Sequence, residues 1–98
     1  MQNKILNLSF DIVFDLCREA IYKSNFRVLY EDRNIGIIFC STDDFVDTER
    51  SILINIRQIN LNENEVVVES KYYNTEIYKS YTKVDEKIFL KHLSMIFH

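Results

Sequence analysis

Two cysteines and two histidines are the side chains best suited to nucleophilic or acid–base chemistry in this chain. Cys17 and Cys40 fall in different predicted elements, whereas His92 and His98 both fall in the last predicted helix. A Cys17–His92 dyad would need two helices on the same face of a sheet, and neither residue carries a nucleophile elbow or another local signature. No CxxC pair is present to form a zinc knuckle. We therefore expect buried free thiols, a partly exposed helical histidine and no catalytic constellation.

An acidic segment at residues 43–49 is a candidate for binding a divalent cation. It carries Asp43, Asp44, Asp47 and Glu49, and hard oxygen ligands of this kind suit calcium or magnesium. Their spacing does not follow the one-three-five pattern of an EF-hand loop, and the required glycine is absent. The single glycine of the chain also cannot build a phosphate-binding glycine loop. We expect a solvated acidic loop and no cofactor.

Length and charge limit the class of protein. The 98 residues suffice for one core, so we expect a single domain over residues 1–98. A formal charge of −3 argues against general binding to nucleic acid, whose phosphates attract clustered lysine and arginine. The chain contains neither an apolar run long enough to span a membrane nor the apolar core of a secretory signal. We expect a cytoplasmic protein, or a mature domain whose leader has been removed.

The segment 71–83 has the most unusual local composition. It reads KYYNTEIYKSYTK and holds four of the six tyrosines in the chain. Aromatic residues between lysines can stack on single-stranded bases, and tyrosine also supplies rigid contact area at protein interfaces. Neighbouring carboxylates dilute the positive charge of the segment. Between the two functions we favour a protein contact, while tyrosines that simply cover the sheet remain the structural alternative.

Periodicity predicts the secondary structure. Apolar residues recur at helical spacing over residues 10–24, with Ser9 at the N-cap and Asn25 placed to end the helix in the left-handed conformation. A second helix follows Thr82, which forms an approximate capping box with Asp85. Alternating apolar residues predict the strands, with turns at residues 32–34 and 62–65. The predicted strands cover residues 4–8, 26–31, 35–41, 52–60 and 66–73.

The resulting order is β-α-β-β-β-β-α. It predicts an α+β two-layer sandwich in which an antiparallel sheet of four or five strands carries both helices on one face. This order, together with the pattern FDIVFDLCREAIYKSNFRVLYEDRNIGIIFCST, resembles a recurrent type of small bacterial domain. In that type a first helix is followed by a strand ending in a Gly-Ile-Ile pattern, two further strands and a closing helix. Many such domains have no assigned activity or act as binding or assembly modules, so the resemblance implies a fold more than a function.

The face of the sheet that the helices leave uncovered is the predicted functional surface. If the even-numbered residues of the alternating strands face the helices, the odd-numbered ones form an apolar stripe on the other face. Strand 35–41 is apolar on both faces, and we expect its odd-numbered residues to point inward. Large exposed apolar patches usually mark interfaces, so we expect a protein partner or a homodimer here. The predicted interface residues are Leu29, Ile38, Cys40, Leu53, Arg57, Ile59, Val67 and Tyr73.

A second hypothesis places a small apolar ligand between the helices and the sheet. Five phenylalanines could line such a pocket, although the same side chains could fill a solid core. They are Phe14, Phe26, Phe39, Phe89 and Phe97.

Overall fold

The computed structural model describes residues 2–42, 50–72 and 82–97. The predicted acidic loop, most of the tyrosine-rich segment, Tyr73 and His98 lie outside these ranges. The predicted α+β fold and the order β-α-β-β-β-β-α are confirmed. The elements are β1 (Gln2–Leu6), α1 (Phe10–Lys23), β2 (Arg27–Asp32), β3 (Ile37–Ser41), β4 (Arg50–Asn60), β5 (Glu63–Tyr72) and α2 (Thr82–Phe97).

All five strands form one antiparallel sheet in the order β1-β5-β4-β3-β2. The first strand therefore pairs with the last, and β1 and β2 occupy the two edges. Within the described residues, no helix is both long and apolar enough to span a bilayer.

Helix α1 begins and ends where its sequence predicts. Ser9 is the N-cap residue, as predicted. Its backbone carbonyl accepts a hydrogen bond from the Val13 amide at 3.0 Å, but its side chain makes no capping hydrogen bond. At the other end Asn25 adopts a φ of 61°, as expected of an asparagine that closes a helix. The buried face of the helix consists of Val13, Phe14, Cys17, Ala20 and Ile21.

Arg33 in the β2–β3 turn fastens this turn to α1. Its guanidinium contacts the carboxylates of Asp11 and Asp15 at 3.2 and 2.6 Å. It also lies over the ring of Phe14, 4.4 Å from the ring centroid. The first turns of α1 are thus held against the start of β3 from the solvent side.

The core lies between the helices and one face of the sheet. Ile52, Ile54 and Ile56 of β4 and Val66 and Val68 of β5 are at most 3% exposed, which confirms the alternation predicted for these two strands. Burying each such side chain contributes about 1.5–3 kcal/mol relative to leaving it in water. The helices meet this surface with the buried side chains of α1 and with Phe89 and Leu93 of α2.

The inward face predicted for β3 is wrong. Ile38 and Cys40 are fully buried in the core, whereas Ile37 and Phe39 are half-buried on the opposite face. A strand that is apolar on both faces does not show by its own sequence which face is buried. Pairing with β4 decides it here, because Ile38 lies opposite the buried Ile54.

Gly36 sets the start of β3. It has a φ of 69°, a left-handed conformation that glycine adopts at little cost, and a Cβ here would lie 2.5 Å from the carbonyl oxygen of Ile56. The carbonyl of Gly36 in turn accepts from the Ile56 amide at 2.7 Å. Gly36 therefore permits both a turn and a close approach of the backbone of β4.

A register shift in β2 places the side chain of Tyr30 on the face of the sheet that the helices do not cover. Val28 lies opposite Cys40 but Tyr30 lies opposite Phe39, so Leu29 is an extra residue without an opposite partner. Tyr30 consequently shares the face of Phe39, and the strict alternation predicted for this strand is wrong.

The β4–β5 turn is shorter than predicted. It consists of residues 61–62, where the Asn62 amide donates to the Asn60 side chain at 3.0 Å, and β5 begins already at Glu63. Asn64, predicted to lie in the turn, is buried in the sheet and donates to the Leu8 carbonyl at 2.8 Å.

Candidate functional site: the open sheet face

The strand registers arrange the outward side chains in three rows across the sheet. Successive side chains of a strand point to opposite faces of the sheet, so the buried side chains face the helices and the side chains next to them in sequence face the other way. We call the second set the open face. Read from the β1 edge to the β2 edge, its rows are Glu69, Leu53, Phe39 and Tyr30; then Asn3, Val67, Asn55, Ile37 and Asp32; then Ile5, Glu65 and Arg57.

The centre of the open face is apolar. Leu53, Val67, Ile37 and Phe39 are half-buried, and in the described part of the chain none of them belongs to the apolar cluster around the core. Tyr30 beside them is 54% exposed. Contiguous apolar surface of this kind on a small protein commonly marks an interface.

The two halves of the open face differ in shape. The half formed by β1, β5 and β4 contains a concavity of about 400 Å³, whereas the half formed by β3 and β2 carries the two aromatic rings. The concavity is lined by Gln2, Asn3, Leu53, Asn55, Arg57, Glu65, Val67 and Glu69.

Charges of both signs border the apolar centre. Arg57 lies 3.6 Å from the Glu65 carboxylate, which also accepts from the Asn3 amide nitrogen at 2.8 Å. Glu69 stands one row beyond Val67. Beyond that row, Ser41 and Ser51 have the same outward parity but are buried, so this side of the sheet is covered there.

The structure brings together only part of the predicted interface. Leu53, Arg57 and Val67 lie on the open face, and Ile59 is half exposed beside the hairpin turn. Ile38 and Cys40 face the helices instead. Sequence reasoning missed Tyr30, Ile37 and Phe39, and only the strand registers reveal them.

The five phenylalanines do not line one chamber. Phe14 and Phe89 are at most 1% exposed within the core cluster, and Phe26 packs against its edge. Phe39 lies on the other side of the sheet, and the side chain of Phe97 lies outside the described residues. This arrangement is that of a packed core and does not favour the apolar-ligand hypothesis.

Neither thiol is placed to act as a nucleophile. Cys17 and Cys40 are both fully buried. Burial raises the pKa of Cys17 well above its ordinary value, and burial together with the charge of Asp85 raises the pKa of Cys40 to about 12. A thiol with that pKa is ionised to about one part in ten thousand at pH 8, and the thiolate is the reactive form.

We expect both thiols to resist an aromatic disulfide reagent at pH 8 in the native protein. In denaturant both should react within the mixing time, which gives the total of two. The absorbance of the released thiolate measures both reactions. Fast labelling of either residue without denaturant would contradict the burial and pKa described above.

His92 links the two helices. Its Nδ1 lies 2.9 Å from the Ile88 carbonyl and 3.1 Å from Oγ of Ser24, which itself donates to the Ala20 carbonyl at 2.7 Å. A carbonyl only accepts, so Nδ1 carries the proton and donates to both oxygens. The ring therefore ties α2 to the C-terminus of α1.

A buried polar cluster occupies the first turn of α2. The carboxylate of Asp85 is fully buried and accepts from Arg50 at 2.6 and 2.8 Å and from Thr42 at 3.0 Å. Next to it, Glu86 accepts from Ser70 at 2.7 Å. The sequence predicted for Asp85 only a role in a capping box with Thr82 as the N-cap. In the structure Thr82 is instead the first residue of the helix. The cluster joins α2 to β4, to β5 and to Thr42 just after β3.

Metal binding finds no support in the described ranges. There, no three histidine, cysteine, aspartate or glutamate side chains are grouped closely enough to hold an ion. The open face therefore remains the candidate site with the clearest physical basis. The chain matches no protein-family model and no curated protein at a significant level.

Proposed function

We propose that the protein is a non-enzymatic interaction or assembly module that associates with a second copy of itself through the open face. The observation that carries the proposal is the half-buried apolar centre, whose side chains lie outside the core cluster. Burying this surface against a partner removes it from water, and the mixed charges at its border suit a self-complementary contact.

The size of the face sets the expected strength of association. Strands about 4.8 Å apart and outward rows about 6.8 Å apart give the face roughly 400 Å² including side-chain edges. Two copies would together bury about 800 Å², which is below the ~1,200 Å² of standard interfaces and typical of transient contacts. We therefore expect a dissociation constant in the range of about 10 µM to 1 mM.

Leu53→Lys should weaken self-association at least tenfold, because a lysine ammonium at the centre of the contact would lose its hydration. Sedimentation equilibrium or light scattering over about 10 µM to 1 mM protein follows the change in mass. Ile12→Lys is the matched control, since Ile12 is 50% exposed on α1, on the opposite layer. The control should associate as the wild type does. A wild type that stays monomeric over the whole range would refute the proposal.

A further inference from the structure

The outer side of β2 is an accessible strand edge. β2 is the last strand of the sheet, and within the described residues it pairs only with β3. An edge strand directs alternate amide and carbonyl groups away from the sheet, where they can pair with another extended chain. Arg27, Val28 and Tyr30 of this strand are all exposed. Another chain can therefore reach this edge.

A cleft lies beside the edge, on the helix side of the sheet. Val28 lies opposite Cys40, which faces the helices, so both side chains point to the same side. Cys40 is 0% exposed but Val28 is 40% exposed, because the helices cover β3 more fully than the outer strand. An open concavity of about 430 Å³ lies between α1 and the start of β2. Its lining includes Arg18, Glu19, Tyr22, Phe26, Arg27 and Val28.

The lining of this α1–β2 cleft is apolar and cationic. Tyr22 is 78% exposed and supplies apolar contact area together with Val28. Arg18 already has a partner, since its Nε lies 3.1 Å from the Glu31 carboxylate. The ion pairs formed between described residues do not include Arg27. Arg27 can therefore receive a carboxylate from outside without losing one of its own.

The irregularity of β2 favours a short peptide over the sheet edge of a second copy. Leu29 is an extra residue in the ladder, and bulges and charges on an edge strand oppose pairing with another long, flat strand. A short segment needs only a few residues of regular edge. Recognition by strand addition takes its affinity from backbone hydrogen bonds and its specificity from side-chain pockets beside the strand.

We propose that the α1–β2 cleft binds an extended, acidic peptide segment of another protein, which adds to the sheet beside β2. An apolar side chain of the peptide packs against Tyr22 and Val28, and a neighbouring carboxylate pairs with Arg27. The residues of this cleft are not those of the open face, so the proposal does not depend on self-association.

A library of immobilised octapeptides with varied apolar, acidic and basic residues is the probe. It is screened with labelled Leu53→Lys protein, which is expected to be monomeric. Peptides that carry aspartate or glutamate next to an apolar residue should dominate among those bound. Fluorescence anisotropy of the best soluble peptide then gives the dissociation constant.

Three further substitutions in this background test the cleft. Arg27→Glu should weaken peptide binding at least about fivefold, the effect of roughly 1 kcal/mol. Tyr22→Ala should weaken it by about as much, and the high exposure of Tyr22 protects the fold of this variant. Lys87→Glu makes the same change in charge at an exposed position of α2 and should leave binding unchanged.

Methylation of the peptide backbone separates strand addition from docking by side chains alone. Alternate amides of an added strand face its neighbour, so methyl groups on one set of alternate amides should abolish binding and those on the other set should be tolerated. Equal effects of the two sets, or of Arg27→Glu and Lys87→Glu, would overturn the proposal. So would a library in which no peptide binds more tightly than it binds Arg27→Glu protein. The monomeric background keeps these outcomes separate from the test of self-association.

Discussion

Asp85→Ala is expected to lower the free energy of unfolding by about 3–5 kcal/mol, the usual result of removing one partner of a buried ion pair. The Asp85 side chain is fully buried and that of Arg50 is 20% exposed. The two carboxylate oxygens of Asp85 accept hydrogen bonds from Nη2 and Nε of Arg50 at 2.6 and 2.8 Å, and Thr42 donates a third. Alanine would take the Asp85 carboxylate away from a guanidinium that is largely buried. Urea unfolding of dilute protein measures the loss.

Arg50→Met should lower the free energy of unfolding by a similar amount, because it removes the bidentate donor of the buried Asp85 carboxylate. The double variant should lose less than the sum of the two, and the difference is the coupling energy of the pair. Arg18→Met is the matched control. Arg18 and Glu31 lie 3.1 Å apart but are 52% and 36% exposed, so the loss should be about 0–1 kcal/mol. Equal losses at the two sites would contradict the assignment of a buried, structural ion pair.

Gly36→Ala is expected to lower the free energy of unfolding by about 2–5 kcal/mol. A non-glycine residue in the left-handed conformation costs about 1–2 kcal/mol. The new Cβ would also lie 2.5 Å from the Ile56 carbonyl oxygen and 3.1 Å from the Phe10 ring, and overpacking of this kind costs about 1–3 kcal/mol. Relief would require moving β4, whose Ile56 amide is bonded to Gly36 itself. Thermal and urea unfolding measure the effect.

Two variants of Asn25 separate the two causes. Asn25 also has a positive φ, of 61°, and already carries a Cβ, so the difference in stability between Asn25→Ala and Asn25→Gly tests the backbone conformation without the steric contact that Gly36 makes with β4. This difference should be smaller than the loss in Gly36→Ala. If the two values were equal, the approach of Ile56 would carry no cost.

The helices and the antiparallel sheet followed from local patterns. In α1, apolar residues at helical spacing and an asparagine able to close the helix act over a few residues, so the chain reveals them directly. The faces of β4 and β5 were also predicted, because the polar Asn55 and Arg57 and the acidic Glu65 and Glu69 fall on one parity, although Leu53 and Val67 on that parity are apolar. Local alternation predicts a face wherever one side of a strand is more apolar than the other.

The open face was predictable only in its β4–β5 half. Leu53, Val67 and Arg57 followed from alternation, but β3 is apolar on both sides and β2 contains an extra residue. The orientation of Ile38 and Phe39 depends on pairing with β4, and that of Tyr30 depends on the register shift at Leu29. These are contacts between strands, and periodicity within one strand does not contain them.

The buried ion pair lies further still from sequence reasoning. Arg50 and Asp85 are 35 residues apart, and each taken alone is typical of a solvated surface. The chain alone establishes which segments form helices and strands and that Asn25 closes α1, whereas the start of β3 after Gly36, inside the strand predicted for residues 35–41, comes from the structure. The sheet decides which side chains of β2 and β3 face outward and which charges are buried, because register and desolvation arise only when distant segments pack together.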